Sequence, residues 1–299
     1  MTLKQLEAFY WAATCANFAI AAQRVHLSVS SLSKRISELE ASLGCALFDR
    51  MGRKAALTPE GERLLPRAHA LLQDANELRR SAGAGPGLSG KCRFGSGELS
   101  ACTWVPRLVS RAAAQHPGLA MEPYVDIGWA LEQRVEQGEL DFAIVAGTSS
   151  RSAIRSEPIG EARFAWVVSP RLLPRRKPGP AEILRDFLII ALPEGAGALR
   201  LLDQWLEDRY LPAQRRVTCN SMGAIVGLIV EGMGIGYLPV SWAKSLAARR
   251  AVRILDHLPP LPALAYSIQW RRDDDRRLVR EMRRLVHDSV DFAAPYGML

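Results

Sequence analysis

Leu3, Leu6, Phe9, Tyr10 and Ala13 recur at short helical intervals, the spacing that gathers apolar side chains on one helix face. Asn17 is placed to cap a second helix carrying Ala21, Ala22 and Val25, and Ser28 a third, with a tight turn at His26 and Leu27 between them. On the third helix Val29, Leu32, Ile36, Leu39 and Leu43 fall within one stripe, while Ser30, Lys34, Ser37 and Ala41 point the opposite way and Ser33 sits on the flank. The periodicity then breaks. Residues 47–58 read as two short extended pieces around a glycine turn, with Arg50, Arg53 and Lys54 near its tip. Thr58, Pro59 and Glu60 supply a cap, a proline at the first helical position and an acid in the first turn. In the long helix that follows, Leu64, Ala68, Leu71, Ala75 and Leu78 step by four, three, four and three, a heptad seam, and Pro66 should kink it or limit its first turn. Such a seam either covers its own domain or joins two chains, and the break that follows directly favours the joining of two chains.

That break is the run SAGAGPGLSG at residues 81–90, too small and flexible to bury surface. It spells G-x-G-x-x-G at Gly85, Gly87 and Gly90, but a helix precedes it and a strand follows, the reverse of a dinucleotide site, so it reads as a linker. Beyond it, strands at 91–95, 119–125 and 141–146 alternate with helices at 104–116 and 128–136, a parallel α/β unit. A second set has strands at 164–169, 188–192, 216–219 and 235–238 with helices at 199–210 and 221–231. A strand at 266–270 and a helix at 276–292 return to the first set, and two α/β subdomains with a chain crossing back imply a cleft. The expected domains are 1–58, a linker helix and hinge at 59–90, and 91–299, the last divided into 91–161 with 266–299 and 162–265.

Composition narrows the function. The 299 residues are 48% hydrophobic and 23% charged, which excludes a disordered chain, and no uninterrupted apolar run reaches membrane-spanning length. The opening MTLKQLEAFYWAA carries an early glutamate and helical periodicity instead of a secretory pattern, so the expected location is the cytoplasm. Cys15, Cys45, Cys92, Cys102 and Cys219 form no C-x-x-C pair and read as reduced thiols. The five histidines are scattered, and metalloprotease, P-loop and nucleophile-elbow motifs do not occur, so no catalytic residue, metal or cofactor is expected. The mixed-sign run at 271–277 reads as a solvated loop opening the last helix. A formal net charge of +8 points to a polyanionic partner, and the small, basic outer face of the third helix suits a DNA major groove.

The motifs LKQLEAF at 3–9, NFAIAAQRVHLS at 17–28, LSKRISELEASLG at 32–44, and LFDR followed by LTPEG within 47–61 resemble the winged helix-turn-helix of LysR-type transcriptional regulators. QHPG at 115–118, GELDFAIV at 138–145 and VEGMGIGYLP at 230–239 are similar to that family's effector domain, so the resemblance covers essentially the whole chain. It implies α/β architecture with an N-terminal winged helix-turn-helix, a long linker helix and a two-subdomain, periplasmic-binding-protein-like effector domain. It also implies a regulator of double-stranded promoter DNA and not an enzyme, a homodimer or homotetramer, a small-molecule effector in the cleft, and contact with RNA polymerase.

Carried over residue by residue, the resemblance puts major-groove contacts on Ser28, Val29, Ser30, Ser33 and Lys34, and wing contacts on Arg50, Arg53 and Lys54. Family members commonly have glutamine and proline where this chain has Val29 and Ser30, so one base-reading amide is missing. Val29 either meets a thymine methyl or closes the core. Effector groups in the family come from strand-to-helix turns, which selects Ser100, Thr103, Gly128, Thr148 and Ser221, Leu99 as a wall, and Trp129 for stacking. Each hydroxyl is equally a helix cap. Leu99 and Gly128 replace hydroxyls found in many relatives, which favours a roomier or more apolar effector. The competing class is a cleft enzyme or solute-binding protein that uses its N-terminal helices only to oligomerise.

Overall fold

In the computed structural model, residues 1–49, 56–81, 87–172, 179–210 and 215–295 are described. Three helices come first: α1 (Leu3–Thr14), α2 (Phe18–Arg24) and α3 (Val29–Leu43). Each begins where a side chain supplies the missing acceptor. Thr2 and Gln5 form a reciprocal capping box, Asn17 accepts from Ile20 N, and Ser28 accepts from Ser31 N. His26 takes φ of 55° in the turn between α2 and α3. Leu6 and Phe9 of α1 pack with Leu32, Ile36 and Leu39 of α3 and with Phe48. Full burial of such a side chain is worth about 1.5–3 kcal/mol.

Strands β1 (Phe48–Asp49) and β2 (Ala56–Leu57) pair antiparallel, and α4 (Pro59–Ser81) follows as one unbroken helix with Pro66 inside it. Ala68 is buried in the N-terminal core and Leu64 packs beside it, whereas Leu71 and Leu78 are 46% and 71% exposed. The heptad stripe is therefore shared: its first turns cover the chain's own domain and its later leucines face outward.

The remaining elements are β3 (Ser89–Ser96), α5 (Glu98–Thr103), α6 (Val105–Gln115), β4 (Gly118–Val125), α7 (Gly128–Glu136), β5 (Phe142–Ala146), β6 (Ile154–Ala162) and β7 (Phe164–Val168). After them come α8 (Pro180–Asp186), β8 (Ile189–Ala191), α9 (Gly197–Glu207), β9 (Arg216–Thr218), α10 (Met222–Val230), β10 (Ile235–Pro239) and α11 (Val240–Ala248). The chain closes with β11 (Arg253–Ile254), β12 (Leu264–Arg271) and α12 (Arg277–His287). Two five-stranded sheets result, ordered β4-β3-β5-β12-β6 and β11-β7-β10-β8-β9. Neither is wholly parallel as the alternating pattern implied. β12 runs antiparallel to β5 and β6, and β7 antiparallel to β10 and β11, because the chain enters each of these strands without a helical crossover. Residues 98–103, expected as a turn, form α5, and β3 begins inside the expected hinge at Ser89. The turns after β3 and β5 and the start of α7 meet the starts of α9 and α10, which brings the two sheets' loops together.

Candidate nucleic-acid interface and effector cleft

The outer face of α3 is built by what its inner face must bury. Leu32, Ile36 and Leu39 are essentially inaccessible, which turns Ser30 and Lys34 outward and leaves Ser33 half-buried on the flank. Val29 is 47% exposed at the first helical position and so does not close the core, which leaves its methyls available to a base edge. Ser28 Oγ lies 2.9 Å from Ser30 Oγ and donates to Ser31 Oγ at 2.9 Å, so three hydroxyls are held as one cluster at the helix start. Ser31, also exposed, was not among the expected contacts; its only signal is the run of serines at 28, 30, 31 and 33. No acid occupies the first turn, and the positive end of the α3 dipole lies among these hydroxyls.

The wing is anchored at its root. Glu40 Oε1 accepts from Leu47 N at 2.8 Å and Phe48 N at 3.2 Å, and Thr58 Oγ1 donates to Ala46 O at 2.8 Å while accepting from Gly61 N at 3.1 Å. Gly61 explains the glycine of LTPEG: a Cβ there would sit 2.3 Å from Leu47 O. Arg50, Arg53 and Lys54 lie outside the described residues.

All of the expected effector residues but Thr148 fall into two closures between the sheets. At the first, α5 carries Leu99, Ser100 and Thr103, and faces Ser221 at the start of α10. Leu99 packs into the effector-domain core, Ser100 is wholly buried with no hydrogen-bond partner for its hydroxyl among the described residues, and Thr103 Oγ1 donates to Leu99 O at 2.7 Å. Ser221 does act as a cap, accepting from Ala224 N at 3.3 Å. The group that joins the sides was not expected at all. Glu98 accepts from Ser221 Oγ at 3.2 Å, Met222 N at 2.5 Å and Gly223 N at 3.3 Å. An acid in the first turn of a helix ordinarily serves its own helix dipole, so the sequence around Glu98 gave no sign of a partner 123 to 125 residues away.

The second closure sets Trp129, 51% exposed, against the turn before α9. Gly195, at φ of 87°, lies so near that a Cβ would approach Trp129 Cδ1 to 2.0 Å. Gly128 opens α7 beside Val145 and the Gly195 carbonyl, and Arg200 Nη2 donates to Ala146 O at 3.3 Å. Thr148 is exposed beyond the end of β5 and belongs to neither closure.

A helix-turn-helix with a basic, hydroxyl-rich outer face joined to a two-sheet cleft matches two family models: the bacterial regulatory helix-turn-helix protein, lysR family, over residues 3–62, and the LysR substrate binding domain over residues 85–291. The chain belongs to the LysR family. It is a DNA-binding transcriptional regulator with an effector-binding domain, in a family of non-enzymes. It is 28% identical to a probable hydrogen peroxide-inducible genes activator of Mycobacterium avium, over 92% of this chain and 91% of that one. A full-length OxyR variant from Pseudomonas aeruginosa has 25% identity and a TM-score of 0.62, over 96% of this chain and 94% of that one. Full-length LysG from Corynebacterium glutamicum, solved with bound effector Arg, has 19% identity and a TM-score of 0.62, over 96% and 97% of the two chains, and shows the shared fold. No described helix is long and apolar enough to cross a membrane.

In this LysR-family chain the DNA-binding helices dock directly on the effector domain. Asp141, whose side chain is fully buried, accepts from Arg24 Nη1 at 2.8 Å, Arg276 Nη2 at 2.7 Å and Arg93 N at 2.7 Å. Arg24 Nε also donates to Gly138 O at 2.6 Å, and the Trp11 ring lies 4.9 Å from the Arg24 guanidinium and 5.0 Å from that of Arg276. Arg271 donates to Thr14 O, and Ala16 N donates to Gln137 O at 3.1 Å. Burial beside this cluster pushes the Tyr10 phenol up to about 12. The run at 271–277 is thus not the solvated loop its composition implied: Arg271 and Asp274 are both buried, because each finds a charged partner.

Proposed function

We propose that the first turn of α3 reads the major groove of promoter DNA through Ser28, Val29, Ser30, Ser33 and Lys34, while Arg50, Arg53 and Lys54 of the wing neutralise neighbouring phosphates. The observation that carries this reading is the exposure of Val29 between exposed Ser28, Ser30 and Lys34, on a helix whose opposite face is sealed. Serines and a valine offer hydrogen bonds and methyl contacts to base edges, and lysine and arginine supply salt-dependent affinity.

In the same reading a small-molecule effector enters the cleft edged by Leu99, Ser100, Thr103, Gly128, Trp129, Thr148 and Ser221, and changes how the DNA-binding helices are held. The outward leucines Leu71 and Leu78 support a homodimer seam along α4. A homotetramer through the effector domains and contact with RNA polymerase complete the proposal, with the protein acting in the cytoplasm as units 1–58, 59–90 and 91–299. A peroxide response like the one in the name of the Mycobacterium avium relative gains no support from Cys15 or Cys92. Burial pushes both of these thiols up, away from the reactive thiolate.

The test is fluorescence anisotropy with a labelled duplex from upstream of the protein's own gene, beside a scrambled duplex, at several salt concentrations. Preference for the native duplex is expected, and Lys34→Ala should reduce the slope of log affinity against log salt by about two, roughly one for each protomer of the dimer. Equal binding of both duplexes, unchanged by Lys34→Ala, would contradict the α3 assignment.

A further inference from the structure

The start of α10 offers what a small carboxylate needs: the N–H groups of Met222 and Gly223, the Ser221 hydroxyl, and the positive end of a nine-residue helix. That seat is filled by the chain itself. Glu98 reaches it from α5 on the other side of the cleft, with Oε1 accepting two hydrogen bonds and Oε2 one. A carboxylate has about four acceptor sites, so Oε2 keeps one lone pair open. Among the described residues Glu98 has no lysine, arginine or histidine partner, so its charge is balanced only by helix dipole and hydroxyl.

We propose that Glu98 determines the effector class of this cleft: it excludes ligands held by a simple carboxylate and selects ligands that bring a positively charged N–H donor to its own carboxylate. This rests on the reading of the cleft as the effector site. A free carboxylate must displace a tethered one, whose effective concentration at the seat is of order millimolar or above. A cationic group displaces nothing, and it pairs with a partly buried negative charge for which charge-assisted hydrogen bonds are strongest.

The experiment compares wild type with Glu98→Ala and Glu98→Gln, using butanoate and butylammonium as probes of equal size and opposite charge. Thermal unfolding and calorimetric titration are read at matched ionic strength. Wild type should respond to butylammonium more than to butanoate. Glu98→Ala should bind butanoate about tenfold more tightly than wild type does and lose the response to butylammonium. Glu98→Gln, which keeps the side chain's shape, guards against a folding defect in the alanine variant and should also lose the butylammonium response. Equal responses of wild type and Glu98→Ala to either probe overturn the proposal. Promoter binding by wild type, followed in parallel by anisotropy, tests the regulator reading separately. Its failure would leave the probe comparison interpretable, and its success would not rescue equal responses.

Discussion

Arg24→Ala should loosen the helix-turn-helix from the effector domain by about 2–6 kcal/mol. The Arg24 and Asp141 side chains are 6% and 0% exposed, so solvent screens their contact little. The substitution removes two charge-assisted hydrogen bonds, to Asp141 and to the Gly138 carbonyl, each worth about 1.5–3 kcal/mol. It also removes the guanidinium stacked on Trp11, worth about 0.5–2 kcal/mol. Against this, alanine frees about 1.5–2 kcal/mol of ordered side-chain entropy. Asp141 keeps Arg276 and Arg93 N, so the loss stays below the extreme of a stranded buried charge. Urea unfolding should show the N-terminal helices leaving at lower denaturant while the effector-domain transition holds. A double-mutant cycle with Asp141→Asn should return a coupling above about 1 kcal/mol. Coincident transitions at an unchanged midpoint, with no coupling, would refute the docking as a solution contact.

Burial would lift the Asp274 carboxyl, but Arg276, 2.5 Å away, and Arg271 outweigh it and hold the group below its ordinary 3.8. Its contribution is complete above pH 3.8 and lost as pH falls through the lower folded value; Asp274→Asn should flatten that acid limb in stability titrations, and an unaltered limb would exclude it as the cause. Gly61→Ala drives a Cβ into Leu47 O, a backbone oxygen already held by Thr58 N at 3.0 Å, and should cost about 1–3 kcal/mol by thermal unfolding. An unchanged melting temperature would show that the wing root gives way freely. Leu71→Glu should lower the mass seen in sedimentation without lowering thermal stability of the monomer, since Leu71 is 46% exposed; an unchanged mass would place the dimer seam elsewhere.

Local chemistry was enough to read the N-terminal third. Ser28 and Asn17 cap where expected, and Leu32, Ile36 and Leu39 alone orient the serine and lysine face of α3, because helix caps and helix faces depend on residues within a few positions of each other. The buried runs of β5, β7, β8 and β10 were equally plain, being nearly continuous apolar stretches. β6 was not, since only Ile154, Ile159 and Ala162 are buried along it, a spacing without two-residue alternation, and its register shifts opposite Tyr266 and Ser267. Nor did any local signal mark Glu98 as the group that spans the cleft, or Asp141 as the residue on which Arg24 and Arg276 converge. Those contacts join residues more than a hundred positions apart, and the charges involved would be ordinary surface groups in any other packing. Caps and apolar spacing were enough to set α3 with its exposed serine and lysine face, and the kind of domain behind it. Which charges are buried together depends on the packing of distant segments, because the cost of burying a charge is offset only by a partner the fold brings to it.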